Sequence, residues 1–279
     1  MKVLITGTEG NLGSALLAYL QTKEDYLIVP FSGDVTDYWN WDVLVDDFDF
    51  IIHLAGIAGV RASLNDAEHY YNVNVGGQRN ALSWAEKTKT KMIYASSSNV
   101  HEWWLNPYAA TKKMCEALAV HKEAIGLRFH TIYPGRSDML YSMLQSNDVY
   151  MLNIEHRRDY IHVYDVCTAI DLVMENFHLL RYEEWLDVGT GYCTSIVDVA
   201  KHLNYTGGYS DMETPRERIK TCADVKWLKL LGWHQTKDVL NRPLNQLSEC
   251  KDAETTYAIW DLLGEQLDQE LNSMGDFNV

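Results

Sequence analysis

The sequence is poor in the features that mark several protein classes. Its five cysteines are scattered and include no Cys-x-x-Cys pair, which argues against a disulfide framework or a zinc site. No apolar run reaches the roughly 20 residues that a membrane-spanning helix needs, and the short apolar run after Met1 does not resemble a secretory signal. We therefore expect a cytoplasmic protein without a membrane partner or a bound metal.

Positive charge is also scarce. The 279 residues carry 24 Lys and Arg against 39 Asp and Glu, a net charge of −15. This balance argues against nucleic acid as a partner, because phosphate binding needs a surplus of cations. An anionic substrate would therefore need local arginines. The apolar fraction of 47% is enough for a sizeable hydrophobic core.

Short apolar runs alternate with helical segments in the first half of the chain. This alternation is typical of parallel βαβ units in an α/β, Rossmann-type doubly wound sheet. The predicted strands are residues 3–6, 26–31, 50–54, 92–95 and 127–132, and the predicted helices are residues 11–22, 67–87 and 107–123. Residue 31 is followed at once by a polar turn, so the second unit lacks a full crossover helix. Residues 247–271 read as an acidic, helix-like tail.

A glycine-spaced turn follows the first strand. Gly7, Gly10 and Gly13 stand three residues apart, with Asn11 and Leu12 between the last two. Glycines allow a tight turn and let a pyrophosphate approach the free N–H groups of the next helix. The same spacing also suits an ordinary strand-to-helix turn. It differs from the Gly-x-Gly-x-x-Gly of two-domain dehydrogenases.

A tyrosine and a lysine share one face of a later predicted helix. Tyr108 and Lys112 are four residues apart, and Ser97 ends the preceding apolar strand. An adjacent ammonium is expected to lower the pKa of a tyrosine and make it a general acid or base. Ser97 would hydrogen-bond the reacting hydroxyl oxygen. The alternative is a half-buried tyrosine beside a solvated lysine.

These motifs, in this order, resemble the extended short-chain dehydrogenase/reductase family, in its nucleotide-sugar epimerase/dehydratase branch. The resemblance covers roughly residues 2–235. It implies an NAD-binding Rossmann domain of residues 1–132 and 159–190, and a smaller substrate-binding lobe of residues 133–158 and 191–279. Further matching segments are Ile51-Ile52-His53-Leu54-Ala55-Gly56, Asn72-Val73-Asn74-Val75-Gly76-Gly77, Tyr133-Pro134-Gly135-Arg136, Arg157-Arg158-Asp159-Tyr160-Ile161-His162-Val163-Tyr164-Asp165 and Leu186-Asp187-Val188-Gly189-Thr190-Gly191.

The resemblance implies a reaction and a set of site residues. The catalytic residues are Ser97, Tyr108 and Lys112. The cofactor-binding residues are Gly7, Gly10, Asn11, Leu12, Gly13, Asp34, Val35, Leu54, Ala55, Gly56, Asn74, Tyr108 and Lys112. The substrate-binding residues are Arg61, Ser98, Arg158 and Arg216. The implied reaction oxidises the sugar 4-hydroxyl and returns the hydride to the other face.

Two local features refine this expectation. The segment Gly59-Val60-Arg61-Ala62-Ser63 resembles UDP-sugar 4-epimerases, whereas a dehydratase would carry Asp-Glu where Ser98-Asn99 stands. Glu9 and Asp34 disfavour the 2′-phosphate of NADP, so NAD is the expected cofactor. A 4-keto-sugar reductase and a non-catalytic dinucleotide-binding regulator remain as alternatives.

The sequence departs from the family beside the expected sugar site. Only ten residues separate Ser97 from Tyr108, and His101-Glu102 replaces a common Tyr-Gly pair. Thr131 stands where the family has an asparagine that often contacts substrate, so the sugar is not specified. The resemblance also implies a homodimer formed through helices near residues 67–87 and 107–123.

Overall fold

The computed structural model describes residues 1–44, 47–137, 139–181 and 183–247. Its strands are β1 (Lys2–Thr6), β2 (Leu27–Pro30), β3 (Phe50–His53), β4 (Lys91–Ser97), β5 (Ala124–Phe129), β6 (Thr131–Tyr133), β7 (Met151–Asn153), β8 (Arg157–His162), β9 (Trp185–Val188), β10 (Cys193–Ser195) and β11 (Gly208–Ser210). Its α-helices are α1 (Asn11–Leu20), α2 (Trp39–Asp42), α3 (Val60–Ser63), α4 (Ala67–Tyr70), α5 (Gly77–Thr88), α6 (Pro107–Ala119), α7 (Leu140–Ser146), α8 (Val163–Glu175), α9 (Ile196–His202) and α10 (Lys226–Leu230).

A parallel sheet of six strands organises the described residues, in the order β2-β1-β3-β4-β5-β9. Val3 on β1 pairs with Ile28 on one side and Phe50 on the other. The strand order reverses beside β1, and α/β sheets bind ligands outside the carboxyl ends of their strands at such a switch point. The predicted doubly wound sheet is confirmed, and α2 is the abbreviated helix expected after β2.

The helix predicted at residues 67–87 is not continuous. It consists of α4, a π-helical turn (Tyr71–Gly76) and α5. Hydrophobic periodicity does not distinguish a π-turn from the α-helix around it, and such turns are frequent at functional sites. Gly77 begins α5 where a Cβ would lie 2.9 Å from Val35 Cγ2. The π-turn directs Asn74 toward the end of β3.

Two other predicted elements end earlier than expected. The helix predicted at residues 107–123 stops at Ala119, because Val120 is extended and His121 has a φ of 61°. The strand predicted at residues 127–132 is two strands. β5 belongs to the six-stranded sheet, and β6 joins β8 and β10 in a second sheet. The chain changes sheet at His130.

A large hydrophobic core lies against the parallel sheet, and a second core lies in the C-terminal part. The first core includes Trp41, Trp84 and Tyr94, all nearly inaccessible to solvent. The second includes Leu144 and Val199. Residues Met1–Leu247 form one compact unit. Apart from Leu247, the acidic tail predicted at residues 247–271 lies outside the described residues, and no helix within them is long and apolar enough to cross a membrane.

Candidate active site

The turn after β1 requires glycine at two positions. Gly7 has a φ of +71°, and a Cβ on Gly13 would lie 2.0 Å from the Gly7 carbonyl oxygen. The Gly10 N–H donates to that oxygen at 3.0 Å. Gly10 is the N-cap of α1 and offers no side chain to the first-turn N–H groups of Asn11 and Leu12. These N–H groups and the helix dipole form a site suited to a phosphate.

The end of β2 carries an exposed carboxylate. Asp34 Oδ1 accepts hydrogen bonds from the backbone N–H and the hydroxyl of Thr36, both at 2.8 Å, and these bonds lower the pKa of Asp34. Val35 is buried, and its carbonyl oxygen accepts from Trp41 Nε1 and Asn80 Nδ2. Asp34 therefore places a negative charge after β2, and this charge disfavours the 2′-phosphate that distinguishes NADP from NAD.

A buried hydrogen-bond chain ties the end of β3 to β1. The Thr6 hydroxyl lies 2.9 Å from His53 Nδ1 and accepts from the Ala55 N–H at 3.0 Å. Burial, reinforced by the charge of Lys112, lowers the pKa of His53 to about 3. His53 is thus a neutral residue of the core at neutral pH. The half-buried Leu54 and Ala55 extend from this chain toward the glycine turn.

Asn74 holds the segment after β3 rather than offering free donors. Its Oδ1 accepts from the Ile57 N–H at 2.8 Å. Its Nδ2 donates to the Ile57 carbonyl oxygen and to Thr111 Oγ1, both at 3.1 Å. A Cβ on Gly56 would lie 2.9 Å from Asn74 Oδ1 and 3.5 Å from Lys112 Nζ. The amide of Asn74 thus has protein partners in this structure, and its expected contact with the cofactor stays a prediction.

The expected catalytic residues converge where β4 and α6 meet. Asn106 caps α6 by accepting from the Ala109 N–H at 2.9 Å, which fixes the first helical turn and Tyr108 within it. Ser97 ends β4, its hydroxyl oxygen accepts from the Asn99 N–H and Nδ2, both at 3.2 Å, and it lies close enough to Tyr108 to lower the pKa of the tyrosine. One helical turn further, the buried Lys112 Nζ donates to the Ala95 carbonyl oxygen at 2.8 Å.

The electrostatics of this group differ from the sequence-based expectation. Burial raises the pKa of Tyr108, and the neighbouring Ser97 hydroxyl opposes this shift without cancelling it. Burial likewise lowers the pKa of Lys112. Lys112, directed to Ala95, is not among the groups that lower the pKa of Tyr108 here, so its expected effect on the tyrosine stays a prediction.

The arginines expected to bind substrate differ in their surroundings. Arg61 is largely exposed and pairs with Glu217 at 2.7 Å. Arg158 Nη1 donates to the carbonyl oxygens of Arg157 and Ile219, both at 2.9 Å, and burial lowers its pKa. Arg216 is exposed. Arg158 is therefore held by the backbone, whereas the positions of Arg61 and Arg216 leave them open to solvent.

Sequence reasoning missed Arg218. Its Nη1 donates to the Ser98 carbonyl oxygen at 2.6 Å, and its Nε lies 3.3 Å from Glu102. The side chain of Ser98, an expected substrate contact, is buried. The alternation of charge in Arg216-Glu217-Arg218 was visible in the sequence. The partners of Arg218, however, are more than one hundred residues away in the chain.

A buried ion pair below the catalytic residues was also missed. Glu116 forms two hydrogen bonds with Arg128, at 2.6 and 2.8 Å, and accepts from the Ser96 hydroxyl at 2.8 Å. Burial opposes ionisation of Glu116, but the bonds from Arg128 outweigh it and lower the pKa. The network joins α6 to β4 and β5. The signal available in the sequence was the placement of Glu116 four residues after Lys112.

The sequence profile of the NAD-dependent epimerase/dehydratase family matches residues 3–183. Among individual relatives, the chain is 33% identical to UDP-glucuronate 4-epimerase 6 of Arabidopsis thaliana over 182 residues, which are 53% of this chain and 39% of that protein. It is 26% identical to the uncharacterized UDP-glucose epimerase YtcB of Bacillus subtilis, over 83% of this chain and 92% of that protein.

Solved structures of low sequence identity share the fold. A UDP-glucuronic acid 4-epimerase variant from Bacillus cereus, in complex with NAD and a fluorinated UDP-sugar, aligns with a TM-score of 0.75 at 24% identity over 86% of this chain and 96% of that one. The UDP-glucose 4-epimerase of Thermus thermophilus with NAD aligns with a TM-score of 0.72 at 20% identity, over 86% and 96% of the two chains.

Proposed function

Since the chain belongs to the NAD-dependent epimerase/dehydratase family, we propose that it is a nucleotide-sugar epimerase acting at the sugar 4-hydroxyl. The observation that carries the proposal is the convergence of Ser97, Tyr108 and Lys112 at the carboxyl end of β4. A regulator that only binds a dinucleotide would have no need for a tyrosine placed between a buried serine and a buried lysine. The comparison with UDP-sugar 4-epimerases supports the same reaction class.

The residues around the glycine turn fit NAD. Gly7 and Gly13 leave a cradle that a Cβ would fill, and Asn11 Nδ2 is buried without a hydrogen-bond partner among the described residues. Asp34 supports NAD over NADP through its negative charge. Lys112 and Gly56 lie together beyond this turn, where a nicotinamide ribose would be held. NAD supplies the hydride acceptor for the oxidation and the donor for the return.

The proton chemistry follows from the three catalytic side chains. Tyr108 takes the proton of the sugar 4-hydroxyl and gives it back when the 4-keto sugar is reduced. The Ser97 hydroxyl, whose proximity lowers the pKa of Tyr108, donates its single hydrogen to the reacting sugar oxygen. Lys112, held by Ala95, keeps a fixed position one turn below. Burial of this group excludes water from the keto intermediate.

A UDP-sugar is the proposed substrate. The exposed Arg61 and Arg216 and the backbone-held Arg158 supply cations for a diphosphate in an otherwise acidic protein. Several relatives and structural neighbours are named for UDP-glucose or UDP-glucuronate. We also propose that the domain of residues 1–132 and 159–190 binds NAD, and that the remaining lobe, residues 133–158 and 191–279, binds the sugar nucleotide; residues 248–279 of that expected lobe lie outside the described residues.

A panel of UDP-, dTDP- and GDP-sugars tests the reaction. An epimerase converts one sugar to its 4-epimer, identified by NMR, without net consumption of NAD, and retains NAD through purification. A 4-keto-sugar reductase would instead consume reduced cofactor in proportion to product. Recovery of starting material alone across the panel would reject the epimerase proposal and favour the regulator.

We also propose a cytoplasmic homodimer formed through the helices near residues 67–87 and 107–123. Tyr71, in the π-helical turn, and Met114, on α6, are 48% and 40% exposed, and Leu118 on α6 is partly buried. A pair of helices from each subunit would cover these side chains. Light scattering coupled to gel filtration tests the assembly, and a monomer at micromolar concentration would contradict it.

A further inference from the structure

The short segment between Ser97 and Tyr108 is held at both of its charged positions. It forms a 3-10 helix (Ser98–Leu105) with a kink at Glu102. We call this segment the catalytic loop. His101 Nε2 lies 3.7 Å from Asp187 Oδ1 on β9, and Glu102 Oε2 lies 3.3 Å from Arg218 Nε. The two loop residues that depart from the family pattern are therefore the two whose side chains face ionisable groups on distant elements.

The Arg216–Arg218 segment contacts both ends of the catalytic loop. Arg218 donates to the carbonyl oxygen of Ser98, the residue directly after Ser97, at 2.6 Å. The Arg216 carbonyl oxygen accepts from Asn106 Nδ2 at 3.1 Å. Asn106 is the residue whose oxygen caps α6. One short segment thus fixes the residue after Ser97 and the cap that sets Tyr108.

Asp187, the partner of His101, is itself held by other residues. Asp187 is buried, and its carboxylate also faces His130 Nε2 at 3.5 Å and accepts from the Asp224 N–H at 3.0 Å. Burial opposes ionisation of Asp187, but the neighbouring imidazoles of His101 and His130 outweigh it and lower the pKa of the carboxyl group. The carboxylate is therefore a fixed negative charge beneath the loop, so His101 has a stable partner.

We propose that Glu102 and Arg218, with the His101–Asp187 pair, are positioning residues that hold the catalytic loop down and thereby set the distance between Ser97 and Tyr108. Arg218 contacts Ser98 and Glu102. Through them it fixes the positions of Ser97 and Tyr108 relative to each other. The kinetic part of this inference rests on the proposed epimerase reaction.

Hydrogen–deuterium exchange of the peptide covering residues 98–106 tests the proposal without any substrate. Glu102→Gln should speed exchange roughly threefold to fivefold, as expected for loss of a half-exposed ion pair. Arg218→Met should have a larger effect, since it also removes the bond to Ser98, and Arg218→Lys should restore part of the protection. Because Glu102 and Arg218 share one interaction, Glu102→Gln should add little in the Arg218→Met background.

Asp42→Asn is the matched control. It also changes a carboxylate to an amide in an ion pair, with Lys87, and its side chain is 38% exposed, against 42% for Glu102. This variant should change neither loop exchange nor turnover. A difference between the two variants therefore reports the loop and not a general loss of charge.

Kinetics supply the second measurement. Glu102→Gln and Arg218→Met should lower kcat severalfold with little change in KM and with NAD still bound. Unchanged loop exchange in both variants would overturn the proposal. So would a rise in KM for Arg218→Met with Glu102→Gln silent, because Arg218 would then be a substrate contact. If no nucleotide sugar is turned over, the proposed function fails, and the exchange measurements alone decide the role of the loop contacts.

Discussion

The carbonyl oxygen of Gly7 faces the α-carbon of Gly13 so closely that a Cβ on Gly13 would lie 2.0 Å from it. The glycine turn and the start of α1 are therefore a single packed unit. Gly10 is less constrained, since a Cβ there would lie 3.2 Å from the same oxygen. The three glycines of the motif thus have different structural requirements.

This difference predicts unequal effects of alanine. Gly13→Ala must push α1 away from the turn, so we expect loss of bound NAD and a lower melting temperature. Gly10→Ala needs a shift of only a few tenths of an ångström and should retain the fold. NAD content after purification and thermal unfolding of both variants check the prediction. Equal NAD retention in the two variants would contradict it.

Tyr108→Phe should abolish turnover and keep the cofactor. General acid–base catalysis contributes about 10²–10⁴-fold, which sets the expected loss in kcat. Tyr70→Phe is the matched control, because the Tyr70 ring packs edge-to-face on Tyr108 at 6.3 Å and its hydroxyl donates to the Ala58 carbonyl oxygen. It should retain most of the activity. Normal turnover in Tyr108→Phe would rule out the proposed mechanism.

His53 should make the protein less stable in mild acid. Its pKa is lowered to about 3 in the folded state, from 6.5. Between pH 6.5 and pH 3 His53 is therefore protonated in the unfolded chain but neutral in the folded protein. The free energy of unfolding falls by up to about 1.4 kcal/mol for each pH unit over this range. Urea unfolding at pH 7 and pH 5 should show a loss about 2 kcal/mol larger in the wild type than in His53→Gln. Equal losses in the two proteins would refute the assignment.

Glu116→Gln should destabilise the protein by about 3 kcal/mol, because it leaves the Arg128 guanidinium buried without its counter-charge. Lys113→Gln provides the control, since Lys113 contacts the same carboxylate at 3.1 Å from a partly exposed position and should cost less than about 1 kcal/mol. Urea denaturation measures both. A small effect of Glu116→Gln would show that the ion pair contributes little to holding α6 on β4.

Much of the site was determined by short-range sequence pattern. The spacing of Gly7, Gly10 and Gly13 specified the turn, because backbone freedom there depends on the residue itself. The four-residue interval from Tyr108 to Lys112 put both on one helix face, and the strand ending at Ser97 was readable from its apolar run. These inferences needed only local geometry and the order of the elements.

Roles that depend on long-range contacts were decided only by the tertiary structure. It turned Lys112 toward Ala95, enclosed Tyr108 so that burial raised its pKa, and used the Asn74 amide to hold the segment after β3. Arg218 reaches the catalytic loop across more than one hundred residues of chain. The physical reason is that desolvation and hydrogen-bond partners depend on which elements pack together, and local pattern does not encode that packing.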